Sequence, residues 1–135
     1  MNISIHETPE YEISRLLALI GQTARIKILL VMASQEACVC HMEAVTGMRQ
    51  ASISQHLMAL RKAGLVTHNR VGRNIFYQLA RPEVLEILQQ SALLVGISSD
   101  QLKSLTNRKV AECTCPQCAS DLDPKLCCKP IKSCA

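Results

Sequence analysis

Cys38 and Cys40 stand one residue apart in EACVCHMEAV, residues 36–45, where a helix is about to begin. Six more cysteines, Cys113, Cys115, Cys118, Cys127, Cys128 and Cys134, crowd the last 23 of the 135 residues. Thiolates take soft, thiophilic ions, or are oxidised. Residues two apart on a regular helix do not face the same way. At a helix start the backbone is not yet committed, so both sulfurs can turn toward one atom. The positive end of the helix also favours thiolate over thiol. The competing reading is two inert buried cysteines, a common fate of that residue. His41 follows directly and could coordinate, or could lie on the surface as an ordinary polar residue.

The end, ECTCPQCASDLDPKLCCKPIKSCA, holds three prolines and six cysteines and has neither helical nor strand periodicity. An irregular tail is expected there unless a ligand orders it. Two compact thiol sets stand out, Cys113-x-Cys115-x-x-Cys118 and Cys127-Cys128-x5-Cys134. Either could be complete alone or could lend a sulfur to Cys38 and Cys40. A structural zinc site built on Cys115-x2-Cys118 with two later cysteines, or loose scavenging of metal, are the alternatives.

The elements that must position these thiols are legible in the spacing. Thr8-Pro9 predicts a helix start, with Thr8 as cap, and Ile13, Leu16, Leu17 and Ile20 keep helical spacing up to Gly21. A second helix, about 23–34, is apolar on most faces and belongs in a core. A short helix, about 39–45, is closed by Thr46-Gly47. A longer one runs from about Gln50 to Lys62 and stops at Gly64. There Ile53, Leu57 and Leu60 make one buried stripe, while Ser52, Ser54, Gln55 and Arg61 mark the other face. After Gly64 the period becomes two. LVTHNR and RNIFYQL read as strands joined by a hairpin turn at Val71-Gly72. Arg81-Pro82 opens a further helix carrying Val84, Ile87, Leu88 and Leu94, broken at Gly96, and a weak helix from Asp100 to about Val110 follows.

Short helix, Gly47 turn, second helix and hairpin is the order of a winged helix-turn-helix. The second helix can enter the major groove and offer short polar side chains to base edges. Its N-terminus favours a phosphate. Arg70, Arg73 and Asn74 on the hairpin can reach the neighbouring backbone or minor groove. The expected DNA-contacting set is therefore Arg49, Gln50, Ser52, Ser54, Gln55, His56, Arg61, Arg70, Arg73 and Asn74. Against it stands the plain reading that polar residues on a helix are a solvated face; His56 alone suits a structural role better than base reading.

Composition agrees with this class. A net charge of +4 is compatible with a nucleic-acid partner, and many basic residues fall between Arg49 and Arg81. Aromatics are 2% of the chain, Tyr11, Phe76 and Tyr77, too few for base-stacking platforms. The start, MNISIHETPEYEIS, lacks a basic region followed by an apolar run, and no stretch has membrane-spanning length. A cytoplasmic chain with reduced thiols and no membrane partner is expected. No nucleophile-base-orienter set and no Gly-rich phosphate loop is present, so an enzyme is not expected.

ASISQHLMALRKAGLVTHNRVGRNIFYQL resembles the signature region of the ArsR/SmtB family of metal-responsive repressors. EACVCHMEAV is similar to that family's thiol motif ELCVCDL, with His41 where Asp is usual. The likeness covers roughly residues 8–90 and stops short of the cysteine-rich end. It implies a homodimeric winged-helix repressor of double-stranded operator DNA, its interface built from the first helix and the helix after the wing. It also implies Cys38 and Cys40 as ligands of an inducing ion, As(III) or Sb(III), alternatively Cd(II) or Pb(II), with no organic cofactor. Family arsenic sensors hold the ion in a pyramid of three thiolates, and cadmium and lead sensors use three or four. A further sulfur must then come from the tail, where Cys-Cys-x5-Cys resembles a set found in some arsenic-responsive members. Zinc and nickel members place histidines on the helix after the wing, where this chain offers Glu83 and Glu86 but no histidine. A thiol redox or persulfide switch is the remaining regulatory alternative, weakened because that helix has no cysteine. A metal-buffering protein with an incidental winged fold is the non-regulatory one.

The expected architecture is thus mainly α with a small β-hairpin. Residues 1–111 would form a dimeric DNA-binding and dimerisation domain, and 112–135 the irregular cysteine-rich tail.

Overall fold

A computed structural model of the chain describes residues 8–72 and 74–106. All six tail cysteines, and Arg73, lie outside the described residues, as do the last four positions of the expected final helix.

The order is α1 (Pro9–Ile20), α2 (Thr23–Val31), β1 (Ala37–Cys38), α3 (Val39–Thr46), α4 (Gln50–Lys62), β2 (Val66–Val71), β3 (Asn74–Leu79), α5 (Glu83–Leu94) and α6 (Ser99–Thr106). Thr8 caps α1 as its position predicts: its side chain accepts a hydrogen bond from the Tyr11 backbone N–H, and Pro9 fills the first turn. Helix α2 stops at Val31, three residues before the expected Ser34.

The turn between α3 and α4 depends on Gly47. Its φ of 73° is left-handed, and its N–H donates to the Glu43 carbonyl at 2.8 Å. A side chain there would be strained by about 1–2 kcal/mol. This single reversal sets α4 across α3.

The core gathers where α2, α3 and α4 meet. Ile28, Leu29, Met42, Ile53, Leu57 and Leu60 are essentially inaccessible, so the predicted α4 stripe is buried as a unit. Strands β2 and β3 form the expected hairpin, antiparallel from Val66↔Leu79 to Val71↔Asn74. The turn is one residue later than expected, because Val71 still pairs and Gly72, at φ 63°, begins the reversal.

The sequence pattern did not reveal β1. Ala37 and Cys38 pair antiparallel with Tyr77 and Phe76, so the sheet has three strands in the order β1-β3-β2. Two residues are too short to show a period, and their pairing is earned entirely by β3, which is 38 positions away for Cys38↔Phe76. The wing is therefore anchored on the segment that carries the thiols.

Among the described residues no helix is long and apolar enough to cross a membrane. The stripes expected at a dimer interface divide in two. Ile20, Val84 and Leu88 are buried within this chain's own core, while Ile13, Leu17 and Leu94 are exposed. Leu93 and Val95 extend the exposed apolar surface at the end of α5. Helical spacing alone cannot separate these two fates, since both faces are apolar.

Candidate functional site

Cys38 is extended, with φ −88° and ψ 164°, and occupies the cap position of α3; Cys40 lies within the first turn. The kink from strand to helix brings residues that would diverge on a regular helix together, and the two sulfurs lie 3.3 Å apart. Both side chains are buried. At 3.3 Å the two sulfurs are not joined to each other, since an S–S bond is about 2.05 Å. Ion binding requires both sulfurs as thiolates.

His41 is the clearest departure near the thiols. A surface position was one expectation for it, yet it is among the most deeply buried side chains, 1% exposed. It points into the packed side of α3, next to Met42, rather than to solvent. Among the described residues no three His, Cys, Asp or Glu side chains gather around one point. Cys38 and Cys40 thus stand as a pair of neighbouring sulfurs without a third candidate ligand among the described residues.

The thiol pair heads α3, and α3 packs directly on α4. Helix α4 has no side-chain cap and no acidic residue in its first turn, leaving its amide N–H groups and positive end available to an anion. Of the polar residues expected to meet DNA, Arg49, Ser54, Gln55, Arg61 and Arg70 are exposed, and Gln50 and Ser52 are half-buried. Asn74 is different. It pairs with Val71 at the first residue of β3 and is buried, so it is not offered to solvent as a wing contact. The strand register turns it inward, which a hairpin read from sequence does not specify.

His56 is not freely exposed either. Arg25, on α2, donates from Nε to His56 Nδ1 at 3.1 Å and from Nη1 to the Leu19 carbonyl at 2.9 Å. One guanidinium thereby joins the last turn of α1, α2 and the third helical residue before Ala59 on α4. Nothing local marks Arg25 as functional, because its partner is 31 residues away. Burial first, and the Arg25 charge second, lower the pKa of His56 from its ordinary 6.5. A lowered value means the neutral ring is favoured in the folded chain. The stabilising contribution is therefore complete above pH 6.5 and lost as pH falls through the folded-state value. Thermal unfolding followed from pH 7.5 to about 5 should show declining stability on acidification. His56→Gln should flatten part of that decline, and an unchanged slope would refute the assignment.

Comparison with known proteins follows the same geometry. Residues 23–68, from the start of α2 into β2, match the model described as "Bacterial regulatory protein, arsR family". The chain is 33% identical over 73 residues to a transcriptional repressor SmtB homolog of Synechocystis, covering 54% of this chain and 55% of that protein. It therefore spans little more than half of that relative's length. It is 29% identical over 102 residues to the arsenical resistance operon repressor of Staphylococcus xylosus, covering 76% and 96% of the two chains. Among solved structures it resembles NolR from Sinorhizobium fredii, with a TM-score of 0.62, 27% identity, and coverage of 73% of this chain and 99% of the other. With a winged helix-turn-helix, a thiol pair at the head of α3, this matched segment, and a repressor of Agrobacterium fabrum 33% identical over 78 residues and covered to 67%, the chain belongs to the arsR family of bacterial regulatory proteins.

Proposed function

We propose that this chain is a homodimeric transcriptional repressor that leaves its operator when arsenite or antimonite is bound at Cys38 and Cys40, with a further sulfur from the tail. The observation that carries the reading is the sulfur pair itself, converging at 3.3 Å on the helix that packs against α4. Sulfurs that far apart subtend about 92° at an atom bonded about 2.3 Å from each, the length of a zinc–thiolate bond. That angle suits a pyramidal ion better than the tetrahedral geometry of a structural zinc site. The Staphylococcus xylosus relative, an arsenical resistance operon repressor, points the same way. The exposed apolar residues Ile13, Leu17, Leu93, Leu94 and Val95 support a second copy as partner. Two copies would place two α4 helices about 34 Å apart, one per half-site of a palindrome.

Release requires that the ion favour the DNA-free form. A coupling of about 1–3 kcal/mol weakens operator binding roughly 5- to 150-fold, and by linkage DNA weakens ion binding equally. The experiment is a titration of the reduced chain, bound to its operator, with arsenite, antimonite, cadmium and lead. Arsenic-edge X-ray absorption then counts the sulfur neighbours. Three sulfurs and release by the first two ions are expected. Release by cadmium or lead alone would shift the reading to the alternative ions, and a loaded protein that stays on DNA would end it. The same sulfur pair favours one second reading, a thiol redox or persulfide switch, because two thiols 3.3 Å apart need little movement to join. In that case peroxide or persulfide releases DNA with no metal present.

A further inference from the structure

Arg25 does more than brace the helices. A guanidinium is always a donor, so His56 Nδ1, which receives its Nε–H at 3.1 Å, must carry the lone pair. The ring proton of neutral His56 is thereby placed on Nε2. Among the described residues Arg25 is the hydrogen-bond partner of His56, and Nε2 is not among the buried atoms that lack one. Nε2–H is thus a donor that reaches the surface, since His56 is only half-buried. Ser52, one turn earlier on α4, flanks it on the same side.

We propose that Arg25 is a positioning residue for DNA recognition: it fixes His56 in the Nε2–H tautomer and aims that donor at a hydrogen-bond acceptor of the duplex. The inference rests on the reading of α4 as the helix that enters the groove. Two kinds of acceptor share this chemistry, a phosphate oxygen and the N7 or O6 of a guanine edge. Arg25 need not touch DNA. Its second hydrogen bond, to the Leu19 carbonyl, holds the guanidinium in place, so the ring angle depends on α1 as well as α2.

The depressed pKa of His56 accords with this arrangement, because a second ring proton would set an N–H against the Arg25 N–H. Glutamine supplies a useful contrast. Its amide nitrogen can stand near the place of Nε2 and is a donor whatever its neighbour, so it needs no Arg25 to define it.

The test uses the full reduced chain and two duplexes, one selected by the parent protein from a random pool and one of scrambled sequence. Ring nitrogen NMR of the parent chain should show His56 as the Nε2–H tautomer, and Arg25→Ala should lose that preference. Arg25→Ala should weaken binding to the selected duplex roughly tenfold. Adding Arg25→Ala to His56→Gln should cost little beyond the effect of His56→Gln alone. A loss confined to the selected duplex identifies a base edge as acceptor, and an equal loss on both duplexes identifies a phosphate; either supports the proposal. An Nδ1–H tautomer in the parent overturns it without any variant. So does an Arg25→Ala penalty that is the same in the His56→Gln background, which would mean that Arg25 acts on the fold or on DNA directly. If the parent chain binds no duplex at all, the DNA-reading assignment of α4 fails instead, and the NMR result still reports separately on the Arg25–His56 pair.

Discussion

The double variant Cys38→Ser/Cys40→Ser should hold its operator about as tightly as the parent chain and ignore arsenite. Serine keeps the shape of cysteine but replaces a soft, easily ionised sulfur with a hard oxygen that stays protonated near neutral pH. The ion therefore loses the two ligands that the described fold brings to 3.3 Å. A response of roughly 5- to 150-fold in the parent should fall to about onefold, read by fluorescence anisotropy of a labelled duplex. The contacts proposed to DNA lie elsewhere, on the exposed face of α4 and at Arg70, so basal affinity should stay. Both sites are buried, and a hydroxyl without a partner there costs about 1–3 kcal/mol, so a modest loss of stability is expected. Paired alanine substitutions separate that penalty from the loss of ligands. Full arsenite release from the double variant would place the responsive site elsewhere and remove Cys38 and Cys40 from the mechanism.

Phe76→Ala should be the most damaging single change to the fold. Phe76 is 1% exposed, and it is the largest of the fully buried side chains. Removing it should cost about 3–5 kcal/mol, through lost burial and the cavity left behind. A domain of this size has only about 5–15 kcal/mol in total, so the unfolding midpoint should drop by more than roughly 10 °C. The position gives the loss a second consequence. Phe76 is the register partner of Cys38, so the void opens beside the thiol segment in the sheet. Arsenite response should weaken at temperatures where the variant is still folded. Chemical denaturation measures the first effect and ion titration the second. A loss of stability below about 1 kcal/mol would show that the strand pairing does not carry the packing described.

Much of this molecule could be read along the chain because its signals are local. Thr8-Pro9 marks a helix start through one side-chain hydrogen bond and one fixed dihedral. The α4 stripe Ile53, Leu57 and Leu60 marks a buried face, and α4 begins and ends where that spacing says, at Gln50 and Lys62. The change of period after Gly64 marks the wing. Resemblance to a family then added a dimer, an operator and a class of ion, none of which periodicity can supply.

Other features escaped because no local rule encodes them. Ala37-Cys38 is a strand only by virtue of β3 beside it. The stripes on α1 and α5 are apolar on positions with opposite fates, Ile20 and Val84 inside this chain and Ile13 and Leu94 on its surface. His41 follows the thiols where coordination and a surface position were both open, yet the packing of α3 buries it.

By itself the sequence determined which residue types are present and how they are spaced: two thiols at a helix start, a polar face on α4, a hairpin after it. Tertiary structure alone decided that the thiol segment is stitched to the wing, that Asn74 faces inward, and that Arg25 holds His56. The reason is physical. Spacing along a chain states which faces are apolar or polar, whereas the partner of a face, or of one hydrogen-bonding nitrogen, is chosen only when distant segments compete to bury the same surface.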